Sequence, residues 1–144
     1  MKTVRQILDK KGREVYSVSP DESVFSALEL MADKNIGAVV VVENEKVVGI
    51  LSERDYARKV ILHGKTSKDT PVRDIMTEKV LYVRPDNTSD ECMALMADKR
   101  IRHLPVLEHD KLIGIISISD IVHAIIEEDK YIIEQLENYI AGGR

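Results

Sequence analysis

Apolar and polar positions follow two patterns along the chain, one typical of amphipathic helices and one typical of β-strands. Apolar residues recur at helical spacing after each of two Pro-Asp pairs, which predicts two amphipathic helices carrying Val24, Ala27, Leu28 and Met31, and then Cys92, Met93 and Met96. The stretches "AVVVVENEKVVGIL" and "LPVLEHDKLIGII" each hold two apolar runs around a polar turn, so each predicts a β-hairpin. The short runs "VYSV" and "LYVR" predict one further strand before each helix.

This order of elements occurs twice because the sequence contains an internal repeat. A shift of 65 positions aligns residues 15–61 with 80–126 without a gap, and 18 of the 47 pairs are identical. The unit starts also match, "VRQIL" with "VRDIM", although the first copy carries three extra residues in "DKKGRE". Each unit is too small to bury a core alone. The predicted fold is therefore α/β (α+β), with two β-α-β-β-α repeats packed as a pseudo-twofold pair and a long C-terminal helix.

A polar, turn-rich segment, "HGKTSKDTP", separates the two copies. We expect a first repeat at 1–64, a linker at 65–69, a second repeat at 70–127, and an extended C-terminal helix and tail at 128–144. The tail carries a broad apolar stripe with acidic residues opposite and is expected to end at Gly142 and Gly143. The stripe consists of Ile125, Ile126, Ile132, Ile133, Leu136, Tyr139 and Ile140. Such a helix needs a partner surface, so we expect a homodimer with an isologous interface.

Composition narrows the class of protein. The 144 residues are 44% apolar and 32% charged with a net charge of −4, which is an ordinary globular balance. The absence of Trp, a single Phe and the lack of a dense basic run argue against nucleic-acid binding, and no stretch reaches membrane-spanning length. The lone cysteine, Cys92, suits a reducing compartment, and "MKTVRQILDK" lacks an apolar signal region, so a cytoplasmic location is expected. The four histidines lack metal-ligand spacing, so no metal site is expected.

A seven-residue motif recurs as "GILSERD" at 49–55 and "GIISISD" at 114–120. One interpretation is structural, because a serine followed three positions later by an acid forms a helix capping box. The other is a ligand clamp. In it, Asp55 or Asp120 accepts the hydroxyls of a vicinal diol such as ribose, while serine hydroxyls and helix N–H groups suit a phosphate. An adenine ring would then need an apolar slot, for which the candidates are Ile101, Leu104 and Pro105, or Ile36 and Val39.

Repeated architecture and motif order together resemble a tandem pair of cystathionine-β-synthase (CBS) domains, over roughly Thr3 to Glu127. The resemblance implies two clefts that bind adenosyl ligands such as AMP, ADP, ATP, NAD or S-adenosylmethionine. By this resemblance the ribose is held by Asp55 and Asp120, the ribose or phosphate lies near Ser52 and Ser117, and main chain contributes near Val15 and Ser17 or near Val80 and Tyr82.

Aligning the two copies predicts that the clefts are unequal. Arg102 and His103 stand where the first repeat has Gly37 and Ala38. Their strand is similar to one in adenylate-sensing kinase subunits, which implies phosphate contacts. A phosphorylated nucleotide is thus expected in a cleft served by Arg102, His103, Ser117, Ser119 and Asp120. Arg54 replaces Ser119 in the first copy and is a candidate phosphate contact, although an exposed Arg in the first turn of a helix is more often solvated or paired with an acid such as Glu53.

The expected function is a regulatory module that binds an adenine nucleotide, AMP or ADP ahead of ATP, and then changes conformation or its interaction with an unidentified regulated protein. Two alternatives stay open: NAD or S-adenosylmethionine as the ligand, and a purely structural dimerisation module with empty clefts. No enzyme activity or catalytic cofactor is expected, because no nucleophile with a base and an orienting group is visible. The predicted nucleotide-binding residues are Val15, Ser17, Ile36, Ala38, Ser52, Arg54, Asp55, Val80, Tyr82, Ile101, Arg102, His103, Pro105, Ser117, Ser119 and Asp120.

Overall fold

Five α-helices and five strands make up the fold in a computed structural model that describes residues 1–141. The helices are α1 (Val4–Lys11), α2 (Val24–Lys34), α3 (Glu53–Lys59), α4 (Ser89–Lys99) and α5 (Ile118–Ala141). The strands are β1 (Ser17–Val18), β2 (Ala38–Glu43), β3 (Lys46–Ser52), β4 (His103–Glu108) and β5 (Lys111–Ser117). Two single 3-10 turns cover Ile61–His63 and Val72–Asp74. This mixed α/β architecture with a long last helix confirms the predicted fold class.

Both predicted hairpins are present, and their turns have the same geometry. In the first sheet β1 runs parallel to β2, and β2 runs antiparallel to β3. The second sheet is the antiparallel pair β4 and β5. Each hairpin turns through two residues with positive φ, Asn44 and Glu45 in the first and His109 and Asp110 in the second. Paired positive φ values are the mark of a type I′ turn, whose twist matches that of the flanking strands.

The strand predicted at "LYVR" is reduced to one parallel bridge between Val83 and Val106. The reason is visible in the aligned first repeat, where the N–H of Val40 donates to the carbonyl of Tyr16. The position 65 residues after Val40 is Pro105, which has no N–H to donate. Two bonds still tie this segment to β4: Val83 N–H to the Pro105 carbonyl, and Leu107 N–H to the Val83 carbonyl, both 3.0 Å.

The two helices predicted from apolar spacing form, and they bury the expected faces. Val24, Ala27 and Met31 of α2 are buried, as are Cys92 and Met96 of α4. Met93 was predicted to lie on the apolar face of α4, but its side chain points outward and 39% of the residue is exposed. Each helix starts at a side-chain cap, Ser23 for α2 and Thr88 for α4, whose oxygen accepts a backbone N–H of the first turn.

The two repeats exchange their leading segments. Helix α1, which the predicted element order lacked, packs into the core of the second repeat through Val4, Ile7 and Leu8. Correspondingly, Val72 and Ile75, which lead into the second repeat, lie in the core of the first. A boundary drawn along the chain therefore does not separate the two hydrophobic cores.

The glycine of the first motif lies where this exchange brings the two repeats into close contact. A Cβ added to Gly49 would lie 2.6 Å from Sδ of Met76 and 3.2 Å from the carbonyl oxygen of Thr77. Both neighbours belong to the leading segment of the second repeat, which also pairs with β3 through a bridge between Thr77 and Ile50. A side chain at this position would push the Met76 thioether aside and crowd the Thr77 carbonyl, so the contact with the other repeat favours glycine.

Helix α5 confirms the predicted long helix, and its last turns leave the body of the second repeat. Ile121 and Ala124 are buried in that repeat, whereas 49–81% of each apolar residue of the tail stripe is exposed. These exposed residues form the α5 tail stripe, which consists of Tyr131, Ile132, Ile133, Leu136, Tyr139 and Ile140; of the predicted stripe, Ile125 packs partly against the second core, and Ile126 is 46% exposed. The expected helix end at Gly142 and Gly143 lies outside the described residues. Across 1–141, no helix combines the length and apolar character that a membrane span needs.

Candidate functional site

Two cavities lie between the repeats, and each combines a motif from one repeat with a strand start from the other. The first cleft has a volume of about 690 Å³. The first motif lines it with Ser52, Glu53, Arg54 and Asp55, and the other repeat contributes Thr77, Lys79, Leu81, Arg100, Ile101, Arg102 and His103. A volume of this size falls in the range of small-molecule sites.

The second cleft is the pseudo-twofold counterpart of the first, with a volume of about 660 Å³. Its motif residues are Ser117, Ile118 and Ser119, and the first repeat supplies a wall made of Lys11, Gly12, Glu14, Tyr16, Asn35 and Ile36. Ser117, Ser119 and Ile36 were predicted as contacts and lie here, whereas the predicted ribose acceptor Asp120 is not among the residues that line this cleft.

Four residues line both clefts: Gly37, Ala38, Arg102 and His103. Sequence comparison had assigned Arg102 and His103 to a single cleft together with Ser117, Ser119 and Asp120. In the structure this pair stands on the wall that the clefts share. A Cβ on Gly37 would lie 3.7 Å from Cε1 of His103, so the imidazole faces the small residues of the opposite strand start.

Both motifs form the capping box predicted from their spacing. Asp55 Oδ2 accepts the Ser52 N–H at 2.9 Å and the Ser52 hydroxyl at 3.0 Å, and Ser52 Oγ accepts the Asp55 N–H at 3.1 Å. Asp120 Oδ2 accepts the Ser117 N–H at 2.8 Å, and Ser117 Oγ accepts the Asp120 N–H at 3.2 Å. In each carboxylate the cap uses Oδ2, so the capping role and a ligand role through Oδ1 are compatible.

The two carboxylates differ in their cationic neighbours. Oδ1 of Asp55 lies 3.4 Å from Nζ of Lys59, one turn along α3. Oδ2 of Asp120 lies 2.5 Å from Nζ of Lys11, which reaches across from the end of α1 and also donates to the carbonyl oxygen of Ile115 at 2.7 Å. Lys11 was not predicted. Its only signal in the sequence is that it lies within "DKKGRE", the segment that makes the first copy three residues longer.

Charge distinguishes the clefts more clearly than shape does. Four cationic side chains, Arg54, Lys79, Arg100 and Arg102, line the first cleft against Glu53 and Asp55. The second cleft has Lys11 and Arg102 against Glu14. Sequence reasoning named Arg54 and Arg102 but missed Lys79 and Arg100, because these two precede the aligned strand positions. The first cleft is the more favourable place for a phosphate group.

His103 is largely buried between the clefts, and this lowers its pKa below the usual value of about 6.5. Burial is the main cause, and the nearby positive charge of Lys11 acts in the same direction; Asp120 opposes them, and Arg102 adds a smaller lowering effect. His103 is therefore a neutral imidazole at pH 7, able to donate from one ring nitrogen and accept at the other.

Several predicted contact residues lie beside the clefts and do not line them. Tyr16 lines the second cleft between the predicted Val15 and Ser17, and Lys79 and Leu81 line the first on either side of Val80. Tyr82 lies in a separate depression of about 440 Å³ beside Arg5 and Arg84. Pro105 is buried in β4 behind the cleft wall. Their roles as ligand contacts stay predictions.

Among the described residues 1–141, no group of three or more His, Cys, Asp or Glu side chains is placed to hold a metal ion. Cys92 is buried, and burial raises the pKa of its thiol to about 11, so it is a packing residue of α4.

Comparison with known proteins agrees with this architecture. The family model of the CBS domain matches the chain twice, at 4–62 and 72–127. The CBS domain-containing protein CBSX3, mitochondrial, of Arabidopsis thaliana is 39% identical over 150 residues, which span 98% of this chain and 73% of that protein.

Solved structures show the same fold. A protein with CBS domains from Burkholderia ambifaria, described as a candidate signal-transduction protein, is 52% identical with a TM-score of 0.85, over 88% of this chain and 95% of that one. The hexameric CBS-CP12 protein of bloom-forming cyanobacteria is 29% identical with a TM-score of 0.76, over 84% of this chain and 66% of that one. Tandem CBS domains are regulatory modules, and this chain belongs to the CBS-domain family, with one copy of the domain on each side of its two clefts.

Proposed function

We propose that the chain is a regulatory module that binds an adenosine nucleotide, with AMP or ADP as the preferred ligand, in the first cleft. The observation that carries this proposal is the meeting of the Asp55 and Glu53 carboxylates with four cationic side chains in an open cavity of about 690 Å³. Such a cavity offers an acceptor for the ribose hydroxyls and a positive field for phosphates at the same time.

The residues of the first cleft divide by chemistry. Asp55 presents Oδ1 toward a ribose while Oδ2 stays in the capping box. Arg54, Arg100 and Arg102 are placed to neutralise one or two phosphates, and the guanidinium fork suits that task. Ile50, Leu81 and Ile101 supply the apolar part of the lining, against which an adenine ring packs.

Titration calorimetry tests the proposal and narrows the ligand. AMP, ADP, ATP, NAD and S-adenosylmethionine are titrated into the protein, and we expect AMP or ADP to bind most tightly. The variant Asp55→Ala should weaken binding by about 2 kcal/mol, the scale of hydrogen bonds to a charged group. Asp33→Ala, which removes an exposed carboxylate on α2, is the matched control and should leave affinity unchanged.

Two outcomes would count against the proposal. If none of the five ligands binds, the clefts are not adenosyl sites. If Asp55→Ala lowers the melting temperature and leaves affinity unchanged, the carboxylate serves the helix cap alone. The capping geometry at both motifs favours that second candidate, a structural dimerisation module with empty clefts.

A module of this kind acts by coupling ligand binding to a change of conformation or of contacts with a regulated protein. Coupling energies of about 1–3 kcal/mol are the usual scale.

The α5 tail stripe is the surface we propose for pairing with a second copy, since an exposed apolar helix face of this length marks an interaction site. The hexameric assembly of the cyanobacterial relative is consistent with self-association in this family. A monomer in light scattering at micromolar concentration would contradict the pairing.

A further inference from the structure

An exposed row of residues runs along α5 from the body of the second repeat to the end of the helix. Steps of three or four residues connect its members, so they share one side of the helix. The apolar members are 41–81% exposed, and one exposed acid, Asp129, interrupts them. The row, named here the α5 row, consists of Ile118, Val122, Ile126, Asp129, Ile133, Leu136 and Ile140. Its last three members belong to the α5 tail stripe.

The first repeat presents a different surface at the equivalent place. A shift of 65 positions aligns Ile126 of the row with Ile61. Helix α3 ends at Lys59, whereas its counterpart α5 runs for 24 residues. Ile61 and Leu62, in the single turn that follows α3, are 54% and 78% exposed. The exposed residues of this surface, named here the α3 end surface, are Arg58, Ile61, Leu62, His63 and Lys65.

The two surfaces carry opposite charges around their apolar residues. Residues 53–65 hold four Lys or Arg against two acids, whereas the aligned residues 118–130 hold one Lys against four acids. Glu134 and Glu137 add negative charge farther along α5. Within residues 1–141, the ion pairs include neither these two acids nor Arg58 and Lys65. The acidic tail therefore complements the α3 end surface and repels a second acidic tail.

We propose that the α5 tail of one copy docks on the α3 end surface of a second copy, which returns the same contact. This inference rests on the proposed pairing of the α5 tail stripe and names the surface that receives it. Ile61 and Leu62 cover the apolar residues of the tail, and Arg58 and Lys65 balance its acids. One two-fold axis generates both contacts, so the pair is closed and isologous.

Direct pairing of two tails is the competing arrangement, and Asp129 argues against it. In a parallel pair of α5 helices, the two copies of Asp129 would face each other within the apolar seam formed by the α5 row. Like charges placed together at a desolvated position are costly. Docking on the α3 end surface brings the same carboxylate close to cations, so its charge stabilises the contact.

Sedimentation equilibrium of the full chain tests the arrangement by complementation. Leu136→Asp impairs the tail, and Leu62→Asp impairs the surface that receives it. The two leucines are 56% and 78% exposed, so both variants should fold, which circular dichroism checks. Asn138→Asp adds the same charge two residues beyond Leu136, about 200° around the helix, and is the matched control.

Each leucine variant alone should raise the dimer Kd about a hundredfold, because both contacts of the pair are damaged. An equimolar mixture of the two should recover about tenfold of that loss, since the mixed dimer keeps one intact tail on one intact surface. Asn138→Asp should pair like the unsubstituted protein. Raising NaCl from about 0.05 to about 0.5 M should weaken the pairing, because salt screens the attraction between acids and cations.

Three results would overturn the inference. If Leu62→Asp pairs normally while Leu136→Asp does not, the tails pair with each other. If the mixture associates no better than either variant, the two surfaces do not meet. A monomeric unsubstituted protein would refute the proposed pairing as a whole. Nucleotide affinity plays no part in this readout, so a failure of the proposed nucleotide binding would be recognised separately by calorimetry.

Discussion

Gly114 and Leu8 touch across the junction of the two repeats: a Cβ on Gly114 would lie 2.7 Å from Cδ2 and 2.9 Å from Cδ1 of Leu8. Leu8 belongs to α1, which starts the chain, whereas Gly114 lies in β5 of the second repeat. The glycine of the second motif therefore makes room for a leucine side chain that is itself fully buried. This contact explains why the motif begins with glycine, independently of any ligand.

Gly114→Ala should destabilise the protein by about 1–3 kcal/mol, because the added methyl overpacks a closed contact. Leu8→Ala alone should cost about 2–5 kcal/mol through the cavity it leaves. In the double variant the alanine methyl at 114 enters that cavity, so the combined loss should be smaller than the sum of the two. Urea unfolding of the four proteins measures this coupling.

Gly37→Ala is the control for the glycine series, since a Cβ there meets its nearest neighbour at an ordinary 3.5 Å. It should change the free energy of unfolding little. Strict additivity of Gly114→Ala and Leu8→Ala would show that the two residues do not interact, and would remove this account of the motif glycine.

The Cys92 thiol should resist alkylation in the folded protein. Burial raises its pKa to about 11, so the thiolate that reacts is scarce at pH 8. Reaction with iodoacetamide should become fast in urea, with a midpoint that follows the loss of helical circular dichroism. Rapid labelling of the native protein would mean that α4 opens locally without global unfolding.

Glu127 should contribute stability that disappears in acid. Hydrogen bonds from Lys10 and Lys2 lower its pKa to about 2, against an ordinary value near 4.5. A carboxylate whose pKa is lower in the folded state stabilises above its unfolded pKa and loses that contribution as the pH falls toward 2. Glu127→Gln should therefore be less stable than its parent at pH 6, and the difference should shrink steadily between pH 4.5 and 2. Glu137→Gln, farther along α5, is the control. A stability difference between Glu127→Gln and its parent that does not change with pH would contradict the assignment.

AMP binding should be accompanied by proton uptake through His103. Its lowered pKa leaves the imidazole neutral near pH 7, and a phosphate placed beside it raises that pKa, so the complex takes up protons as the pH falls toward 6. Calorimetry in two buffers of different ionisation enthalpy measures the uptake. His103→Gln should reduce it to the amount that belongs to the phosphate itself. Equal uptake by both proteins would show that no phosphate lies near His103.

Elements whose signals are local were predictable from the sequence. The hairpin turns at Asn44 and His109, the helices after each Pro-Asp pair and the length of α5 all follow from short-range patterns. The strand at "LYVR" failed because its bonding depends on the partner residue, and Pro105 in that partner lacks a donor.

Long-range relationships were not predictable in the same way. The apolar spacing of Val4, Ile7 and Leu8 shows a buried face and does not say which repeat buries it. The family resemblance implied two clefts between the repeats, but the alignment did not show which residues each repeat contributes, because each motif faces the strand start of the other repeat. Lys11 lines the second cleft because the segment that follows α1 differs slightly in length from its counterpart in the other repeat. No residue pattern signals this difference.

Because the leading segments are exchanged, one repeat alone does not contain a complete hydrophobic core. A single repeat cut from this chain with its own leading segment would lack the segment that completes its hydrophobic core. It would carry instead the segment that packs into the core of the other repeat. Two such halves in solution can each supply the leading segment that the other lacks, as in domain swapping. A single repeat of this chain is therefore expected to be stable only when it is paired with another copy.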